Sequence, residues 1–439
     1  MSSIEMFGST ERLLMDLVLL TTEHLVTMEI AENFDVLREL GRGTFGQVVL
    51  GKHRVSGSTV ALKLLPKNRV LRESFLLEFS TSLLLSAHPS IITTLMVAWQ
   101  TMDHFVFAQE VATAGSLHCL LIPGVGIPEV MVKLCVLQVA SALDYMHGLG
   151  LVHRDVKPDN IMLMDPECRC VKLSDFGLTA LAGTSIPSMT CIIPYMAPEL
   201  CTLTNPETLI LHPSLDVWAM AVLIVTTLTG FFPWEQALPS DRHYKDFYCW
   251  QMSGYSLPVP RYWQRFTPEA LQGIKDMLSF HPLRRCSINN IQQYLEVPWK
   301  AEDFVAVVSS ESEAEEEELD QQEHSSESEA EEEELDQQEH SSESEAEEEE
   351  LLQLVYSSEG DEREMEGEVE DEVEVVQEDL VVEGVVIQPR EVVEHEQADM
   401  ELILVFTEGI EHFPPGTSFR LEIENEEITV TLGSEVEAT

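Results

Sequence analysis

The sequence predicts an α+β fold of two lobes followed by a disordered acidic tail, and three observations carry that expectation. A glycine-rich segment, Gly41-Arg42-Gly43-Thr44-Phe45-Gly46-Gln47-Val48, runs on through Val49 and Leu50 towards Lys63, within a β-rich stretch that ends near Glu110. Two acidic motifs, His153-Arg154-Asp155-Val156-Lys157-Pro158-Asp159-Asn160 and Asp175-Phe176-Gly177, follow among apolar, helix-like segments that reach about residue 300. Composition then changes abruptly. Residues 301–439 hold 50 Asp and Glu against Arg363, Arg390 and Arg420, a net charge of −47, whereas residues 1–300 carry only −6.

A chain of 439 residues exceeds one ordinary domain. Its segments read as a helical preamble over 1–33, a folded domain over 34–300, an acidic low-complexity stretch over 301–400 and a small β segment over 401–439. In the preamble, the spacing of Leu13, Leu14, Leu17, Val18 and Leu20 predicts a helix over 9–30, capped by Ser9 or Thr10, whose stripe packs on the domain behind it. The apolar run over 13–20 is short and broken by Asp16, so it is expected neither to cross a membrane nor to direct secretion. The first strand of the domain begins at Phe34. Eight cysteines, all before residue 300, follow no disulfide spacing, and Cys168 and Cys170 lack the further ligands a metal needs. A reducing, cytoplasmic setting fits them.

In the tail, SSESEAEEEELDQQEH over 309–324 repeats identically over 325–340 and starts again at 341. Blocks of Glu repel one another and have almost nothing to bury, which predicts disorder. Acids downstream of Ser309, Ser310 and Ser312 suit acid-directed phosphorylation. The charge disfavours nucleic acid and anionic membrane surfaces as partners and favours basic proteins. Near the end, 402–406, 418–423 and 428–432 read as strands, the last two joined by a Glu424-Asn425-Glu426-Glu427 turn.

The residue types in the two motifs fit phosphoryl transfer. Asp155 can accept the proton of an attacking hydroxyl, Lys157 can sit against the phosphate being moved, and Asn160 with Asp175 can hold magnesium between the phosphates of ATP. Glycines 41, 43 and 46 let backbone approach phosphate, with Arg42, Thr44 and Phe45 in the same loop, and Val48 and Ala61 cover the adenine. Lys63 follows where a dinucleotide-binding fold would place an acid. A buried lysine needs a carboxylate partner, and Glu78 is the candidate.

These motifs resemble those of protein kinases. The runs Phe105-Val106-Phe107-Ala108-Gln109-Glu110, Leu143-Asp144-Tyr145-Met146-His147-Gly148, Ile193-Pro194-Tyr195-Met196-Ala197-Pro198-Glu199 and Thr229-Gly230-Phe231-Phe232-Pro233-Trp234-Glu235 are similar to those of the SH3-domain-binding serine/threonine kinases. The resemblance covers about residues 10–300 and implies a bilobal protein kinase fold that moves the γ-phosphate of magnesium-ATP to Ser or Thr of protein substrates. It also implies a hinge in which the backbone of Glu110 and Ala112 bonds adenine beside a gatekeeper Gln109. Glu199 is expected to pair with Arg285, and Asp216 to hold the catalytic loop. Two departures stand out. Cys191 and Ile192 occupy the places of a Gly-Thr pair whose hydroxyl would bond Asp155 and Lys157, and the tail lacks the P-x-x-P that SH3 binding needs. The alternative reading is a nucleotide-binding pseudokinase or scaffold whose acidic tail recruits partners.

Overall fold

The computed structural model describes residues 3–43, 46–188, 192–254 and 256–301, together with four strands between 385 and 433. Helix α1 (Ser3–His24) begins before and ends before the expected 9–30, so Ser9 and Thr10 lie inside it and not at its start. It stops because the residues after it are claimed by a sheet. Strand β1 (Val26–Thr27) pairs in parallel with the edge of a neighbouring strand, Val26 opposite Trp99 and Thr27 opposite Gln100. The short α2 (Ile30–Asn33) follows, closed by reciprocal bonds between Glu29 and Glu32.

Strands β2 (Phe34–Gly43), β3 (Gly46–His53), β4 (Thr59–Pro66), β5 (Thr94–Gln100) and β6 (His104–Gln109) complete the upper sheet, with α3 (Arg72–Leu85) between β4 and β5. The spatial order is β1-β5-β6-β4-β3-β2. Leu65, Phe75, Phe79, Phe105 and Phe107 form one buried cluster, in which Phe75 stacks on Phe105 at 4.8 Å between ring centres. On α1, Leu14 is buried, Leu13 and Leu17 are half-buried against the core, and Val18 packs on the phenylalanine cluster. Leu20, expected in that stripe, is exposed.

The lower lobe is helical. Its elements are α4 (Glu129–Gly148), β7 (Leu151–Val152), β8 (Ile161–Leu163), β9 (Val171–Leu173), β10 (Ala180–Leu181), β11 (Ser185–Pro187), α5 (Pro198–Cys201), β12 (Thr208–Ile210), α6 (Ser214–Thr229), α7 (Arg242–Met252) and α8 (Pro268–Met277). Helix α6 is apolar all round and buried along its whole length, as such a helix must be in a folded domain. Helix α4 is long and apolar enough to cross a membrane by composition, yet Val132, Val136, Val139, Leu143 and Met146 bury its inner face in the same core. Gly230 ends α6 in the left-handed region (φ 73°), where a side chain would collide with the backbone of Ile122 and Gly124.

Strands β13 (Val385–Pro389), β14 (Glu401–Phe406), β15 (Ser418–Glu424) and β16 (Glu427–Gly433) form an antiparallel sheet in that order. Three strands were expected here; β13 falls in the stretch read as purely low-complexity. Its β-branched Val385, Val386 and Ile387 pair with Phe406, Val405 and Leu404 despite the acidic surroundings. Glu424 and Glu427, expected in a turn, are themselves paired across β15 and β16. The serine-rich repeats, Thr44, Phe45, Thr190 and Cys191 lie outside the described residues.

Candidate active site

Lys63 stands on β4 opposite Phe107 of β6, and its ammonium reaches between two carboxylates. Nζ lies 2.6 Å from Glu78 Oε1 on α3 and 2.9 Å from Asp175 Oδ1 in the lower lobe. Burial opposes the charge on Lys63, but Asp175 and Glu78 outweigh it and hold its pKa above the usual lysine range. Burial, with the neighbouring Asp175 charge, pushes Glu78 up even though Lys63 opposes that. Asp175 is held down because Lys63 overcomes its burial. Sequence reasoning found Glu78 and missed the second contact, since Asp175 arrives from 112 residues away.

The glycines differ in what surrounds them. A side chain on Gly46 would strike the carbonyl of Leu64, so β3 can approach β4 this closely only with glycine there. Beside Gly41 and Gly43 the space is open. Gly177, after Asp175-Phe176, backs onto Glu78, with Oε2 3.2 Å from where its Cβ would stand. Ala61 is buried on β4 opposite Gln109, while Val48 pairs with Lys63. Glu110 begins the link between lobes, and its N–H donates to the Thr93 carbonyl at 2.9 Å. That leaves its carbonyl, not its N–H, as the group able to meet adenine. Ala112 lies two residues further along the same link.

The catalytic loop is tied down from below. Asp216, buried on α6, accepts the backbone N–H groups of His153 and Arg154 at 2.9 Å each and contacts His147 at 2.8 Å. Burial works against that carboxylate, yet His147 and the other donors keep its pKa below the ordinary range. Arg154 takes a positive φ of 71° here, and Asp175 one of 65°; strain of this kind persists where surrounding bonds over-determine it. His153 meets Phe176 edge to face at 5.4 Å, joining the two motifs.

Asp155 Oδ2 accepts from Asn160 Nδ2 at 2.7 Å and meets Lys157 Nζ at 3.0 Å. Asn160 Nδ2 also donates to the Asp155 carbonyl at 2.9 Å, which leaves the oxygen of its amide free to serve as an acceptor. Burial opposes the Lys157 charge, and Asp155 more than restores it. Ile192 is half-buried against the lower core, an apolar contact in the place of a hydroxyl. Below it, Arg285 grips Glu199 with two bonds of 2.6 Å and lies over Trp218. Of the predicted residues, Lys63, Glu78 and Asp175 thus meet in one ion network and Asp155, Lys157 and Asn160 in another, whereas the exposed Arg42 pairs with Glu39.

The profile of the protein kinase domain matches residues 34–299. The chain belongs to the protein kinase family. Among curated relatives, serine/threonine-protein kinase SBK1 of Danio rerio is 43% identical over 309 residues, covering 69% of this chain and 80% of that protein. Serine/threonine-protein kinase SBK2 of Rattus norvegicus is 41% identical over 287 residues, covering 65% and 79%. The more distant serine/threonine-protein kinase meng-po of Drosophila melanogaster is 33% identical over 280 residues, covering 63% and 60%. Within the kinase family the chain therefore belongs with the SBK, or SH3-binding, kinases, and it is a serine/threonine protein kinase acting on protein substrates.

Proposed function

We propose that this kinase transfers the γ-phosphate of ATP with magnesium, through the residues gathered in the cleft. Asp155 accepts the proton of the substrate hydroxyl as the oxygen attacks, and Lys157 neutralises charge on the phosphoryl group in flight. Lys63 orients the phosphates, with Glu78 holding its ammonium in place. The open glycines at 41 and 43 let backbone N–H groups approach them, and the Glu110 carbonyl with the Ala112 N–H receives adenine. Asn160 and Asp175 offer oxygen donors of the kind magnesium prefers. Two protein ligands suffice when phosphate oxygens supply others. Magnesium supplies charge neutralisation between the phosphates.

The observation that carries this reading is the paired Lys63–Glu78–Asp175 contact across the cleft, which joins upper sheet, α3 and lower lobe in one ion network. The seven described cysteines are free thiols, which supports a reducing, cytoplasmic setting. The test is phosphate transfer from radiolabelled ATP to a serine- and threonine-containing protein substrate. Asp155→Asn should reduce turnover by about 10²–10⁴-fold while leaving nucleotide affinity nearly intact. Lys63→Met should abolish most magnesium-ATP stabilisation against heat. Equal activity in wild type and Asp155→Asn would favour a scaffold.

A further inference from the structure

Glu110 does more than begin the link between lobes. Its Oε1 accepts the Thr93 N–H at 2.6 Å and lies 2.6 Å from Lys172 Nζ, which also comes within 3.5 Å of Thr93 Oγ1. Lys172 sits on β9, three residues before Asp175. Next to it, Leu173 stitches the chain to the segment after α3, since its N–H donates to the Ser90 carbonyl and its own carbonyl accepts from the Ile92 N–H. Three separate stretches therefore meet at one carboxylate oxygen. They are the segment entering β5, the interlobe link and the strand that delivers Asp175. The side chains are 13% and 26% exposed, shielded enough for the ion pair to outlast salt screening. None of the phosphoryl-transfer steps uses this pair.

We infer that Lys172 and Glu110 form a latch between the lobes that slows cleft opening and so the release of nucleotide. Opening requires the interlobe segment to turn relative to the lower lobe, and the latch spans that junction. The pair acts through position, since neither charged group lies in the ion network around Lys63. Its consequence for nucleotide rests on the ATP-site reading above. Thr93 N–H still bonds Glu110 when Lys172 is gone, so loss of the lysine loosens the junction without dismantling it.

Full-length protein carrying Lys172→Met should release a fluorescent ADP analogue about three to ten times faster in stopped-flow displacement, with KM for ATP raised similarly and kcat unchanged or higher, and Glu110→Gln, at a residue whose backbone also meets adenine, should likewise speed release. Lys172→Arg should stay within about twofold of wild type, because it keeps the charge. The double variant should release nucleotide no faster than the quicker single variant, since the two residues act as one unit. Hydrogen exchange over residues 105–112, measured without nucleotide, should quicken in both single variants. A protein that binds no ADP but shows that quickening would overturn the nucleotide reading and leave the latch supported. Unchanged release with unchanged exchange, or effects that multiply in the double variant, would overturn the latch.

Discussion

Asp155 is oriented by Asn160 at 2.7 Å and by Lys157 at 3.0 Å, with an apolar Ile192 where relatives in the wider class would offer a hydroxyl. The carboxylate therefore keeps two of its anchors. One missing orienting bond should weigh on rate only modestly, and Ile192→Thr should raise turnover by about 2- to 10-fold. KM for ATP should hold steady, because the restored hydroxyl faces the catalytic loop and not the triphosphate. Steady-state kinetics on the two proteins decide it. A fall in turnover would mean that Ile192 packing against the lower core matters more than the bond it forgoes. At this scale the sequence is legible, since it points to Glu78 as the partner of Lys63 and the structure brings the two together. Their roles follow from functional groups that few other chemistries need in that order.

At the scale of elements, α1 is a brace for the helix that carries Glu78. Leu14 belongs to the same buried cluster as Leu84 and Leu85 of α3, and Val18 packs with Phe75 and Phe79. Replacing Leu14 by Ala should lower the free energy of unfolding by about 2–4 kcal/mol through lost burial and the cavity left behind. Met15, one position along and 57% exposed, serves as the contrast, and Met15→Ala should change stability by no more than about 0.5 kcal/mol. Denaturant melts of the two variants provide the comparison, and equal effects would refute the brace. The stripe was visible as a helical period. Its outer edge at Leu20 is exposed, because a period identifies a face without saying how wide a neighbour will cover it. Neither could the period show where α1 ends, since β5 captures Val26 and Thr27 from outside the local pattern.

Over the whole molecule the dominant feature is charge asymmetry, with −47 of the −53 lying beyond residue 300. Acidic segments of this kind repel themselves and have little apolar surface to bury. Removing residues 302–439 should leave the unfolding temperature nearly unchanged. A tethered acidic tail that captured a basic peptide would do so at a high local concentration and away from the catalytic residues. Truncation should therefore raise kcat/KM for a basic peptide at low ionic strength, and the gain should shrink as salt is added, because exposed charges are screened. A large drop in melting temperature would show that the tail supports the fold. A gain that ignores salt would point away from charge and towards docking by the strands between 385 and 433.

The sequence by itself determined which functional groups the chemistry can draw on and where the acidic charge lies. Motif spacing and composition are local properties, and side-chain chemistry does not wait on folding. Only the tertiary structure decided which distant groups share a charge. It brought Asp175 to Lys63, Asp216 to the backbone of His153 and Arg154, and Lys172 to Glu110. Such pairings depend on how strands and helices pack across long stretches of chain. A local pattern can announce that a buried lysine needs a partner, but the fold alone selects which carboxylates arrive.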